Sequence, residues 1–183
     1  MALGKILFFG QAAAGKTSIY KKYFINLPIE DILETSPTVL FTLTKPTIRI
    51  FDKEAQVVVF DLGGQASYIS SHLANDAVFT ALNLALFVID VSEPELFETA
   101  LKYLARAYER MEALNEKIPV VAIFLHKYDP ARQEDLAPLA QQATEMVCEA
   151  SPEFSECIYR TTLFDDSIKK AMDALLVKAF SDK

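Results

Sequence analysis

A short apolar run, Ile6–Phe9, leads straight into Gly10-Gln11-Ala12-Ala13-Ala14-Gly15-Lys16-Thr17, which fits G-x-x-x-x-G-K-[ST]. Few features restrict a fold as tightly. A strand has to enter this loop and a helix has to leave it, so that backbone N–H groups close around a phosphate and the helix N-terminus points at the same charge. The chain has only five glycines, and four of them stand in this loop and in Asp61-Leu62-Gly63-Gly64-Gln65. Glycine costs backbone entropy and is kept where φ must be positive or a ligand must approach the main chain. Both stretches therefore point to the phosphates of one nucleoside triphosphate.

The rest of the chain supplies the frame that such a loop needs. Apolar runs alternate with longer amphipathic segments, as strands do with helices around a parallel sheet. Lys5–Phe9 is the first strand and Lys16–Asn26 the first helix, with Ile25–Pro37 expected to be a mobile loop. Thr38–Phe51 is an extended segment interrupted at Lys45-Pro46; Pro46 cannot donate to a ladder and belongs on an edge. The turn Asp52–Gln56 should return the chain as the strand Val57–Phe60. Leu84–Asp90 and Val120–His126 have the near-continuous apolar character of strands buried on both faces. Between them, Ser92-Glu93-Pro94-Glu95 has the form of a capping box for a helix with Leu96, Leu101, Leu104, Tyr108, Met111 and Leu114 on its core face. A helix at Leu136–Glu149, a short strand near Ser155–Tyr159 and a helix at Asp166–Phe180 follow. The expected fold class is an α/β P-loop NTPase: a mixed six-stranded sheet with one antiparallel edge strand and helices on both faces.

With 183 residues, 51% of them apolar, the expectation is one domain over residues 1–183. A net charge of −7 argues against a nucleic-acid groove or a polybasic membrane surface. Cys148 and Cys157, expected in a helix and a strand, lack metal or redox spacing and suit a reducing compartment. No stretch has the roughly 18 apolar residues of a membrane span, and the apolar start is too short for a signal peptide. Position 2 is Ala and the C-terminus has no cysteine, so no lipid anchor is expected. A cytoplasmic protein follows, carried to a membrane only by a partner.

The candidate chemistry lies at three places. In the first loop the phosphate-binding set runs Gly10, Gln11, Ala12, Ala13, Ala14, Gly15, Lys16, Thr17 and Ser18. Lys16 can neutralise the β- and γ-oxygens and Thr17 can ligate Mg²⁺. At Asp61–Gln65 an acidic residue at a strand end can hold Mg²⁺, Gly64 can offer its N–H to the γ-phosphate, and Gln65 can orient an attacking water. The catalytic pair is then Gln65 and Lys16. At His126-Lys127-Tyr128-Asp129 a carboxylate can accept two hydrogen bonds from the guanine edge, with the lysine stem along the base. His126 is either part of that guanine site or a hydrogen-bonded histidine at a strand end. His72, the other histidine, has no partner in view and is expected at the surface or in a loop. With no Ser/His/Asp order and no histidine–cysteine cluster, a hydrolase triad or zinc site finds no support.

Taken together, the phosphate loop, Pro37-Thr38, Asp61–Gln65, His126–Asp129 and Thr161-Thr162 resemble the Ras superfamily of small GTPases over Leu3 to Phe180. His-Lys-x-Asp, in place of the usual Asn-Lys-x-Asp, resembles the Rag/Gtr branch. So does Tyr159-Arg160-Thr161-Thr162-Leu163-Phe164-Asp165-Asp166, which is similar to F-R-T-S-I-W-D-E. Asp-x-Gly-Gly-Gln and Pro37-Thr38-Val39 are shared with Arf-like proteins. The resemblance implies that Thr38 joins Thr17 and Asp61 at Mg²⁺ in the triphosphate state, and that backbone around Thr162 and Leu163 meets the guanine carbonyl. It also implies switch segments at Ile25–Leu40 and Asp61–Asn75 that regulate an effector or activator protein, through apolar residues such as Leu27, Ile29, Ile32, Tyr68 and Ile69.

Two departures accompany the resemblance. Ala12-Ala13-Ala14 stands where relatives have glycine or serine, which adds methyl groups near the γ-phosphate and makes slow hydrolysis the expectation. The sequence covers one domain, whereas Rag/Gtr proteins continue into a roadblock-type dimerisation domain. A monomer or weak dimer is therefore expected, with a separate roadblock-type domain as one candidate partner. Two alternatives stay open: a GTP-binding scaffold that does not turn over, and an ATP-dependent P-loop kinase, which would leave Asp129 without a role.

Overall fold

A computed structural model describes residues 4–33, 36–50 and 53–181. The strands are β1 (Gly4–Gly10), β2 (Phe41–Thr44), β3 (Thr47–Ile50), β4 (Lys53–Leu62), β5 (Leu84–Asp90), β6 (Val120–His126) and β7 (Ile158–Arg160). The helices are α1 (Lys16–Tyr20), α2 (Ile29–Leu33), α3 (Ala66–Leu73), α4 (Asp76–Phe79), α5 (Phe97–Leu114), α6 (Gln133–Ala150) and α7 (Ser167–Phe180). Six strands follow the order β2-β4-β1-β5-β6-β7. The pairs β1–β4, β1–β5, β5–β6 and β6–β7 are parallel, and β2 is antiparallel to β4. The expected mixed sheet is therefore present. Its antiparallel edge is broken at Lys45-Pro46, so that β3 pairs with the outer part of β4. Pro46 has no N–H to give, but its carbonyl still accepts from Val57 N–H at 3.0 Å.

Burial on both faces explains the apolar runs. Along β1, Leu7 and Phe9 face one cluster with α3, α4, α5 and α6, while Ile6 and Phe8 face the other with α1, β3 and α7. All four side chains are fully buried, and each such residue contributes about 1.5–3 kcal/mol relative to exposure. Phe9 meets Phe87 at 4.8 Å and Tyr103 edge-on at 5.7 Å, tying β1 and β5 to α5.

Several expectations need correction. Ile25–Pro37 is not all loop: Ile29–Leu33 is a helical turn whose Ile32 is buried, because one apolar side chain can anchor a segment too short to show a period. The strand β4 already begins at Lys53, so most of the expected Asp52–Gln56 turn is ladder; Phe51 and Asp52 lie outside the described residues. No capping box forms at Ser92-Glu93-Pro94-Glu95. The Ser92 hydroxyl donates to Asp90 Oδ1 at 2.6 Å, and Pro94–Leu96 becomes a 3₁₀ turn. Leu96 is exposed, while Phe97, Ala100, Tyr103, Leu104, Ala107 and Met111 form the buried face of α5. Cys157 lies just before β7 rather than in a strand, because the last strand starts at Ile158.

Candidate functional site

The parallel register brings the chemistry to one edge of the sheet. Phe8 pairs with Asp61, Gly10 with Val88, and Asp90 with His126, so β1, β4, β5 and β6 all end side by side. Ligands of open α/β sheets bind beyond these carboxyl ends. Here the edge opens into a cavity of about 460 Å³ lined by the first loop, Thr38, Gly63–Gln65 and His126-Lys127-Asp129. A larger cavity of about 740 Å³ between the Lys22–Asn26 segment, β3 and α7 holds none of the phosphate- or metal-site candidates, so the chemistry assigns the site to the smaller one.

At the phosphate end, Gly10 and Gly15 have φ of 138° and 98°, and a side chain on Gly10 would strike the Val88 carbonyl. Ala13 also has positive φ, at 58°, where an alanine is strained and a glycine is not. Lys16 is 5% exposed, and its Nζ donates to the carbonyls of Gly10 at 3.1 Å and Gln11 at 2.6 Å. Burial lowers its pKa to about 8, against the opposing attraction of Asp61. An ammonium held this way can move to phosphate oxygens, which would restore its full charge.

Beside it, three oxygens converge. Thr17 Oγ1 lies 2.9 Å from Thr38 Oγ1 and donates to Asp61 Oδ2, while Thr38 Oγ1 donates to the same oxygen at 3.4 Å. Asp61 is buried, and its Oδ1 has no hydrogen-bond partner among the described residues. Burial raises its pKa, opposed by Thr17, Lys16 and Thr38. A buried carboxylate with an orphaned oxygen, two hydroxyls alongside and open space in front fits a hard divalent cation. Gly64 packs against the Gln11–Ala12 backbone so closely that any side chain would collide with it. Gln65 is exposed at the N-cap position of α3.

At the other end the groups are already paired. Asp129 Oδ1 accepts from Thr162 Oγ1 at 2.6 Å, and Thr162 Oγ1 accepts from Phe164 N–H at 3.3 Å. Leu163 is nearly buried, with its neighbour Phe164 exposed at the cavity mouth. His126 is wholly buried; its Nδ1 lies 3.0 Å from Thr161 Oγ1, and its ring backs onto Gly15. Burial lowers its pKa to about 4, so the ring is neutral. It joins the base-side loop to the phosphate loop. Lys127 has φ of 62°, and its Nζ meets Asp90 Oδ2 at 2.5 Å.

Of the candidates, Ala12, Ala13, Gly15, Lys16, Thr17, Ser18, Thr38, Gly64, Gln65, His126, Lys127, Asp129 and Leu163 line the cavity. Gly10, Gln11, Ala14, Asp61 and Thr162 do not, although Asp61 accepts from Thr17 and Thr38 and Thr162 donates to Asp129. Residues outside the expected site set also shape the cavity. Asp90 holds Lys127, and α2 contributes Ile32 and Leu33 to the wall. The sequence signal for Asp90 was its place at the end of the Leu84–Asp90 strand. Ile32, expected at the switch surface, instead lines the cavity, and nothing in the sequence singled out Leu33. His72 is not a surface residue: it is 2% exposed, with Nε2 at 2.9 Å from the Leu40 carbonyl.

Comparison with known proteins agrees with this geometry. A family model of the Gtr1/RagA G protein conserved region matches residues 5–181. The chain is 23% identical over 176 residues to "Ras-related GTP-binding protein A" of Dictyostelium discoideum, covering 94% of this chain and 56% of the relative. It is 28% identical over 179 residues to "GTP-binding protein gtr2" of Schizosaccharomyces pombe, covering 95% and 54% respectively. A further relative, "Ras-related GTP-binding protein B" of Rattus norvegicus, is 23% identical over 201 residues, covering 94% and 53%. The chain spans about half the length of these relatives.

Proposed function

The chain belongs to the Gtr1/RagA family of G proteins, and on that footing we propose that residues 1–183 work as one GTP- and GDP-binding switch domain with slow hydrolysis. The observation that carries the proposal is the cavity's two-ended chemistry. A charged, partly unsatisfied end is formed by Lys16, Thr17, Thr38 and Asp61, and a pre-paired end by His126, Lys127, Asp129 and Thr162. The first suits phosphates with a divalent cation, and the second suits a guanine edge.

In this proposal the N–H groups of Gly10–Ser18 and Gly64 bind phosphate oxygens and Lys16 neutralises them. Thr17, Thr38 and Asp61 hold Mg²⁺, which when bound supplies charge stabilisation to the phosphates. Gln65, at the start of α3, orients the water. Asp129 accepts from guanine, Thr162 and Leu163 frame its carbonyl, and Lys127 lies along its face. Thr38 engages only when the triphosphate is present, so the 36–40 segment reports the nucleotide.

Of the apolar residues expected at the switch surface, Ile32 is buried, while Leu27, Ile29, Tyr68 and Ile69 are half-buried. The exposed apolar residues in and beside the first switch segment are Ile25, Leu33, Val39, Leu40, Phe41 and Leu43, with Val39 at 73%. An effector or activator protein, with a roadblock-type domain as one candidate, would read this surface. No helix among the described residues is long and apolar enough to cross a membrane, and we propose a cytoplasmic protein that a partner recruits.

The test is the nucleotide that co-purifies, followed by competition between GTP and ATP. Guanine nucleotide with Mg²⁺-dependent retention is expected, and equal affinity for ATP would overturn the proposal. A non-hydrolysing scaffold is favoured by one observation, the strained Ala13 at the phosphate end. A single-turnover assay comparing wild type with Gln65→Leu decides between them: slow hydrolysis that depends on Gln65 supports the switch, and none in either protein supports the scaffold.

A further inference from the structure

His72 stands in the last turn of α3, buried, and sits 2.9 Å from the Leu40 carbonyl through Nε2. A carbonyl only accepts, so Nε2 carries a proton, and in the neutral ring Nδ1 is then bare. Nδ1 is buried with no partner among the described residues, and burial keeps the ring's pKa below its ordinary value. The ring thus makes a single directed hydrogen bond. The same carbonyl accepts from Gly63 N–H at 2.7 Å. Leu40 holds a φ of 57°, a conformation that costs a leucine about 1–2 kcal/mol. Strain of this kind persists where the surroundings over-determine it. Here two donors from the 61–73 region fix one carbonyl. Two residues before it, Thr38 meets Thr17 and Asp61; at the next residue, Phe41, β2 begins.

We propose that His72 is a positioning residue that latches α3 to the 36–40 segment, so that the two switch segments change together when the nucleotide changes. This rests on the GTP-switch proposal above. Without the latch, Gly63 N–H alone would bond the Leu40 carbonyl and β2 would still pair with β4 from Phe41 onward. But α3, which begins immediately after Gln65, would lose its own hydrogen bond to the 36–40 segment and could shift independently of Thr38. The latch favours the arrangement in which Thr38 faces Thr17 and Asp61, which is the one a triphosphate uses. Loss of the latch should therefore weaken triphosphate binding and leave diphosphate binding unchanged. A purely structural role would lower both affinities together.

The experiment measures affinities for GDP and for a non-hydrolysable GTP analogue in wild type, His72→Phe and His72→Gln. Phe fills the space without a donor, and Gln places an N–H near the position of Nε2. His72→Phe should lose roughly tenfold in preference for the triphosphate, as expected for one buried hydrogen bond, and His72→Gln should regain most of it. Nitrogen NMR of the imidazole in wild type should show the neutral, Nε2-protonated tautomer in the triphosphate-loaded form. Wild-type preference retained in His72→Phe overturns the latch alone. Failure of wild type to bind either guanine nucleotide overturns the switch proposal, and the latch with it. Should His72→Phe not fold, a charged or Nδ1-protonated ring in the triphosphate-loaded wild type overturns the latch.

Discussion

The two ends of the cavity are built on opposite principles. At the base end every named polar group already has a protein partner: Asp129 with Thr162, His126 with Thr161, Lys127 with Asp90. At the phosphate end Asp61 keeps an oxygen with no partner among the described residues, and Lys16 bonds to the backbone carbonyls of Gly10 and Gln11; left-handed backbone occurs at both ends, at Ala13 and at Lys127. Satisfied networks in a low-dielectric interior are rigid, whereas unsatisfied charge is relieved by a ligand or by movement. The difference matches a ligand with a constant half, the base, and a variable half, the γ-phosphate. In the proposed switch, one end would recognise and the other would respond.

The largest effect should come from the responding end. Lys16→Ala or Thr17→Asn should cost on the order of 2–4 kcal/mol of triphosphate affinity, because each leaves buried charge uncompensated. Titration with labelled nucleotide, with and without a chelator, measures it. A loss as large for GDP as for the GTP analogue in Thr17→Asn would break the division into a constant and a variable half.

The sequence was most legible where chemistry demands a residue type at a fixed spacing. The loop Gly10–Thr17, Asp61–Gln65 and His126–Asp129 could be picked out because the proposed phosphates, cation and base edge would each need particular atoms. The sheet was legible for a related reason: strands covered on both faces have to be apolar throughout. His72 was hidden because its partner is the backbone carbonyl of Leu40, 32 residues away, and a carbonyl has no side-chain signature. Asp90 was hidden behind Ser92-Glu93-Pro94-Glu95. The capping box failed because Asp90, two residues earlier, captured the serine hydroxyl. The helix α2 has a single buried anchor and no period to detect.

The base end should reveal its rigidity in acid. Burial puts the folded pKa of His126 at about 4, below the unfolded value of roughly 6.5. Its contribution to stability is then complete above pH 6.5 and declines as the pH falls toward 4, since the unfolded chain binds the proton first. The loss should reach on the order of 2–3 kcal/mol near pH 4. Carboxylates titrate in the same range, so the measurement is the difference between wild type and His126→Asn in denaturant midpoint across pH 4–7. A difference independent of pH would mean that the histidine is not held neutral, and that the base end is looser than its hydrogen bonds imply.

Asp129→Asn tests recognition itself. Removing a charged acceptor should cost about 1.5–3 kcal/mol in GTP affinity, while the changed amide pattern should shift preference toward xanthosine nucleotides. The Mg²⁺ dependence of whatever binding remains should stay as in wild type, because the cation's candidate ligands lie at the far end of the cavity. If Asp129→Asn also abolished Mg²⁺ dependence, the two ends would not be separable.

The smallest effect concerns the strain stored at Ala13. A left-handed alanine costs about 1–2 kcal/mol, and glycine at the same position would remove that cost. Glycine would also widen the unfolded ensemble, which opposes the gain by about 0.4–1 kcal/mol. Ala13→Gly should therefore stabilise the nucleotide-free protein by only about 0.5 kcal/mol, read as a small rise in denaturant midpoint. The informative quantity is what happens on loading. If Ala13 is strained only while the loop waits for a phosphate, a GTP analogue should relieve the strain in wild type, and the stability gap between wild type and Ala13→Gly should close. If the gap persists in the loaded protein, the strain belongs to the scaffold and not to the responding end. The methyl group of Ala13 would then be a fixed obstruction beside the phosphates, as the slow-hydrolysis proposal requires.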